Sequence, residues 1–130
     1  MLRLAQERDA LNVIDDQSGA PTGADWLADM TAHAVIQTLA LPSKQGLYHA
    51  SANGETTWHG YASFVVQQAQ ALGYAIKAKQ IHAVPTSAFP TPAQRPANSR
   101  MNCSKLSTSF DLQCPPWQLG VARMLAEITP

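Results

Sequence analysis

Residues Pro90-Thr91-Pro92-Ala93-Gln94-Arg95-Pro96-Ala97-Asn98-Ser99 set one guanidinium and two short polar side chains among prolines. A guanidinium grips a phosphate or carboxylate through two parallel hydrogen bonds, which is chemistry suited to an anionic ligand. Proline fixes φ and drives the residue before it out of the helical region, so this segment reads as a stiff, extended loop. A stiff loop loses little entropy on binding, and that favours Arg95, Asn98 and Ser99 as ligand contacts. The same residues also suit a rigid connector, with Arg95 paired to a carboxylate and Asn98 and Ser99 bonded within their own turn. Gln17 is the fourth candidate. It follows the short apolar run at Val13 and Ile14, and strand ends are where open α/β sheets place ligands. A turn hydrogen bond is the alternative for Gln17, and Thr22 reads as the cap of the helix that follows.

Other groups offer less. His33, His49, His59 and His82 fit no metal-ligand spacing, and no Gly-x-Ser-x-Gly elbow accompanies them, so each reads as a hydrogen-bonded structural residue. Cys103 and Cys114 make neither a disulfide framework nor a zinc site, and reduced thiols in the cytoplasm are the simplest reading. A dinucleotide cradle needs closely spaced glycines at a helix N-terminus. The glycines here stand at 19, 23, 46, 54, 60, 73 and 120, and no two are separated by one residue.

The elements that must position these groups alternate between helix and short strand, an α/β pattern. Residues 1–9 read as helix and 11–14 as strand. Trp26, Leu27, Met30, Ala34 and Leu39 share one face of a helix over 24–39. Residues 46–50 read as a short strand. Trp58, Tyr61, Ala62, Val65, Ala69 and Leu72 recur at threes and fours, the clearest amphipathic helix in the chain, closed by Gly73. Residues 75–83 read as a strand of poor alternation, and Asn102 as the cap of a short helix to Phe110. After Pro115 and Pro116, a last helix is expected to bury Trp117, Val121, Met124, Leu125 and Ile128.

Asp16-Gln17-Ser18-Gly19-Ala20-Pro21-Thr22 and Arg95-Pro96-Ala97-Asn98-Ser99-Arg100-Met101 resemble two stretches of the dTDP-4-dehydrorhamnose reductase family, extended short-chain dehydrogenase/reductases. Met101 replaces the family's leucine. Thr57-Trp58-His59, the residues around Tyr48 and those from Met124 to Glu127 add to the resemblance, which runs nearly end to end. It covers only the back part of the family. The superfamily's Tyr-x-x-x-Lys pair is missing, since Ala52, Val65 and Ala78 follow Tyr48, Tyr61 and Tyr74 at four residues. The resemblance thus implies a small substrate-binding domain without the N-terminal Rossmann domain. It implies a dTDP-sugar as substrate, NADPH or NADH bound in the missing domain, and no catalytic residue or reductase activity in this chain alone. For some members it implies Mg²⁺ between carboxylates at a dimer interface, where the matching positions here are Asp25 and Glu127. Phe89 reads as packing beside proline, or as a stacking surface for a thymine ring.

Composition sets outer bounds. A chain of 130 residues is one domain by size. Nine basic side chains against nine acidic ones lack the basic excess that a nucleic acid or an anionic membrane surface attracts. No apolar run approaches the ~20 residues of a membrane span, and charges at Arg3, Glu7, Arg8 and Asp9 break any signal-peptide pattern. A noncatalytic binding or regulatory subunit of the same fold is the reading from a different class.

Overall fold

Alternating burial along Ala10–Ile14 sets the first strand, β1: Leu11 and Val13 turn inward, while Ala10 and Asn12 face outward. This is the period of two that a strand with one covered face requires. The computed structural model of the chain describes residues 1–90, 92–93 and 95–128. Helix α1 (Leu2–Glu7) precedes β1, and the two-residue strand β2 (Ser18–Gly19) follows it. Next come α2 (Ala24–Ala40), β3 (Thr56–Thr57), α3 (Trp58–Ala71), β4 (Gln80–Val84), α4 (Ser104–Phe110) and α5 (Trp117–Glu127). Single 3₁₀ turns lie at Pro42–Lys44 and Thr86–Ala88.

β1 pairs in parallel with β4, Leu11 opposite Ile81 and Val13 opposite Ala83. β2 pairs antiparallel with β3, Ser18 opposite Thr57. Helix α3 covers one face of the parallel pair. Ala62 and Val66 meet Leu11, Val13, Ala5 and Ala78 in one apolar cluster. A second cluster joins α3 to α5 through Val65, Trp117, Val121 and Leu125, and a third joins α2 to α4 through Met30, Leu106 and Phe110.

Helix α3 begins as its sequence requires. The Thr57 hydroxyl accepts from the Gly60 amide at 3.1 Å, satisfying one of the amides that a helix start leaves unpaired. It ends at Gly73, whose φ of +86° is the left-handed conformation that favours glycine. Cys103, not Asn102, holds the N-cap position of α4, and Asn102 one residue earlier accepts from the Ser104 amide at 2.9 Å.

Several expectations from the sequence are corrected. Residues 46–50 form no strand, because Tyr48 spends its side chain on the third cluster and its hydroxyl donates to the Lys44 carbonyl. The strand expected over 75–83 is confined to Gln80–Val84. Thr22 does not cap α2. Gly23 holds that position, and the Thr22 hydroxyl instead donates to the Ala20 carbonyl and accepts from the Ala52 amide. Leu39 is 79% exposed, since α2 outruns the partner that covers its first turns. Met124 and Ile128 are likewise surface residues, 39% and 54% exposed.

Phe110 and Leu125 are the largest fully buried side chains. Replacing Phe110 with alanine leaves a cavity beneath α2 and is expected to cost about 3–5 kcal/mol, read from urea denaturation midpoints. Leu39→Ala, at an exposed position of the same helix, is expected to stay within about 0.5 kcal/mol of the parent.

Candidate functional site

Gln17 is only 7% exposed, and a buried amide must spend its hydrogen bonds inside the protein. Its Nε2 donates to the Thr86 hydroxyl at 3.0 Å, and its Oε1 accepts from the Trp58 indole at 3.3 Å. Thr86 passes the chain on: its hydroxyl donates to Asp16 Oδ1 at 2.5 Å, and its amide reaches both Asp16 carboxylate oxygens at 2.9 and 3.0 Å. Asp16 is therefore held below the ordinary carboxylate pKa, first by the Thr86 hydroxyl and then by the Thr86 amide. Four residues from three separate stretches are thus tied together where β1, α3 and β4 end or begin.

The arginine loop is fastened beside them by backbone. The Ser18 amide donates to the Ala97 carbonyl, and the Ser99 amide donates to the Ser18 carbonyl, each at 2.8 Å. Residues 97–99 lie parallel to β2 as if they were one more strand. Asn98 bonds within its own turn, its Oδ1 accepting from the Arg100 amide at 3.0 Å and from Arg100 Nε at 2.9 Å. Arg100 goes on to pair with Glu55 at 2.7 Å. Ser99 is exposed on the wall of a cleft. Arg95 is exposed too, and among the described residues no carboxylate pairs with it.

Two cavities meet at this point. The first, about 890 Å³, lies over β1 and is bounded by Met1, Arg8, Thr86, Phe89 and Arg95. The second, about 500 Å³, lies between the β2–β3 pair and the loop, with Pro21, Tyr61, Pro96 and Met101 among its walls. Gln17, Trp58 and Arg95 line both. Three of the four residues proposed for the ligand, Gln17, Arg95 and Ser99, are therefore brought together, while Asn98 shapes the turn between them. Trp58 and Thr86 were not singled out from the sequence. Trp58 read as part of a helix face, yet it stands 45% exposed at the first position of α3.

The sequence model of the RmlD substrate binding domain matches residues 1–129. The chain belongs to the RmlD substrate-binding domain family. It is 56% identical over 128 residues to the dTDP-4-dehydrorhamnose reductase of Salmonella typhimurium, a match covering 98% of this chain and 43% of that protein. Its identity to the dTDP-4-dehydrorhamnose reductase of Escherichia coli is 53%, with the same coverage. The crystal structure of dTDP-4-dehydrorhamnose reductase from Bacillus anthracis in complex with NADP superimposes with a TM-score of 0.76 at 31% identity, over 97% of this chain and 41% of that one. The chain thus spans about 43% of the length of the curated relatives it matches.

In this RmlD domain the two carboxylates considered for a metal do come together, around a different cation. Arg123 lies between them, Nη1 at 2.9 Å from Asp25 and Nε at 3.0 Å from Glu127. Its own pKa is raised, first by the hydrogen bond to Glu127 and then by the charge of Asp25. Mg²⁺ demands a near-octahedral oxygen shell, and no group of three or more His, Cys, Asp or Glu side chains gathers among the described residues. These residues alone do not fit the ion.

The remaining reactive groups of the RmlD domain gather into no cluster of three or more among the described residues. His59 contacts the Ile81 carbonyl and His33 the Phe110 carbonyl, while His49 and His82 are exposed. Cys103 and Cys114 are free thiols, and burial pushes Cys114 above the ordinary thiol pKa, the reverse of nucleophile activation. No helix among the described residues is long and apolar enough to cross a membrane.

The Asp16–Thr86 contact gives a signed pH prediction. A carboxylate depressed in the folded state adds stability that is complete above the unfolded value of about 3.9 and disappears as pH falls through the lower folded value. The stability difference between the parent and Asp16→Ala is expected to be constant from pH 7 to 5 and to shrink below about pH 4. The Thr86 amide resonance, followed by NMR, is expected to titrate in that same acid range.

Proposed function

We propose that residues 1–130 form a single domain that holds the sugar nucleotide in a dTDP-4-dehydrorhamnose reductase. One observation carries this reading beyond the family match. Arg95 stands where two cavities meet, fixed by a loop whose backbone is bonded to β2, and among the described residues no carboxylate neutralises it. An uncommitted guanidinium at the mouth of a cleft is suited to the diphosphate of dTDP-4-dehydro-L-rhamnose. Ser99 adds a hydroxyl beside it, and Gln17 fixes the wall behind it.

In the complete enzyme, NADPH or NADH held outside these residues would supply a hydride to C4 and a tyrosine outside these residues a proton to the oxygen, converting the carbonyl to the hydroxyl of dTDP-L-rhamnose. The work of this chain is orientation, presenting the sugar carbonyl in one pose, and positioning of that kind is a large part of catalysis. A cytoplasmic location, a homodimer and an N-terminal cofactor domain as partner belong to the same reading. Mg²⁺ enters it only where further oxygen ligands reach Asp25 and Glu127 from outside this chain.

The test uses a reductase that contains this chain. A hydrogen bond to a charged group is worth about 1.5–3 kcal/mol, so Arg95→Ala is expected to weaken sugar-nucleotide affinity roughly ten- to a hundredfold. Arg95→Lys keeps the charge without the planar fork and is expected to recover only part of the loss. An unchanged Kd with unchanged stability removes Arg95 from the site. Lost folding with unchanged affinity among the folded molecules makes it a structural residue.

A further inference from the structure

The second cavity has walls of unusual make-up for a site that receives a sugar nucleotide. Pro21, Tyr61, Pro96 and Met101 present apolar surface, and its hydrogen-bonding groups are mostly spent. Gln17 uses both ends of its amide on Trp58 and Thr86. Thr56 donates to the Thr57 carbonyl, and Thr57 donates to Asp15. A pyranose ring offers several hydroxyls and would leave most of them unpaired in such a cleft, which is costly. A flat heteroaromatic ring presents an apolar face and suits it far better.

Trp58 is the side chain placed to receive that face. It lines the cleft while 45% exposed, so much of its ring is not packed against protein. It is nevertheless fixed in position. Its indole nitrogen is bonded to the buried Gln17 amide, and Tyr61 abuts it edge-on, with ring centroids 6.1 Å apart and planes at 86°. An exposed aromatic held at both ring nitrogen and edge gives up little further freedom when a ligand stacks on it. Arg95 lines the same cleft and can meet a phosphate attached to whatever lies there.

We propose that Trp58 is the stacking platform for the pyrimidine ring of the nucleoside diphosphate, seated in the cleft between the β2–β3 pair and the Arg95–Met101 segment. This rests on the substrate-binding reading above and adds to it the base-recognition surface and its orientation. The base lies toward Tyr61 and Met101, the diphosphate at Arg95, and the sugar toward the larger cavity over β1. Phe89, the other exposed aromatic nearby, lines only that larger cavity.

The experiment titrates the 130-residue chain with dTDP and, separately, with inorganic pyrophosphate, following the indole NH resonances by NMR. The Trp58 resonance is expected to shift with dTDP and to stay nearly still with pyrophosphate. Trp58→Leu keeps apolar bulk without an aromatic face and is expected to weaken dTDP at least about tenfold while leaving pyrophosphate unaltered. Trp58→Phe is expected to keep most of the affinity, which separates loss of stacking from loss of fold. Arg95→Ala weakens both ligands. If Arg95→Ala weakens dTDP while Trp58→Leu does not, the platform is overturned and the substrate-binding reading stands. Phe89→Ala abolishing dTDP binding in place of Trp58→Leu overturns the platform in favour of the other cavity. No detectable dTDP binding by the folded chain at millimolar ligand overturns the platform as well, since this chain alone supplies it.

Discussion

Everything at the candidate site depends on two backbone hydrogen bonds either side of Ser18, one to the Ala97 carbonyl and one from the Ser99 amide. Without them the proline-rich segment is only a stiff rod with nowhere fixed to stand. With them, a loop that makes no regular ladder of its own is registered against β2, which is in turn paired to β3 at the start of α3. Stiffness and anchoring are separate requirements. Prolines supply the first by fixing φ, and the strand edge supplies the second by pairing amides and carbonyls that would otherwise need water.

Side chains lock the second wall in the same manner. Burying the Gln17 amide is tolerable only because the Trp58 indole and the Thr86 hydroxyl satisfy it, and an unsatisfied amide there would cost about 1–3 kcal/mol. Thr86 is oriented by Asp16, which lies at the surface and keeps its charge. The network therefore runs from solvent to a buried amide to an aromatic ring, and each member is held by the next. Such chains fix geometry more than they add stability, and that suits a site whose task is orientation.

How much of this was legible in the sequence depended on the range of the interaction. Helix α3 was readable because its spacing and its closing Gly73 are both local signals. Thr22 was misassigned because a distant amide, Ala52, competes for its hydroxyl, and sequence patterns carry no trace of that partner. Residues 46–50 have strand-like composition but lie against α2 and α4, where packing overrides propensity. Asp25 and Glu127 were named only as positions matching a metal site, and the Arg123 that both carboxylates pair with was not foreseen. An arginine four residues before a glutamate reads as an ordinary helix-surface pair until α2 brings Asp25 alongside.

The parallel pair of β1 and β4 shows how the chain relates to a larger site. Parallel strands are normally covered on both faces, because their crossover connections carry helices to each side. Here α3 and α1 cover one face through Leu11 and Val13, while Ala10 and Asn12 look into the cavity of about 890 Å³. A sheet of two strands with one bare face is a poor free-standing design, since isolated strand pairs depend on packing for their stability. On the proposed reading, that bare face has a use. On that reading, the cavity over it would be where the ligand meets the rest of the enzyme.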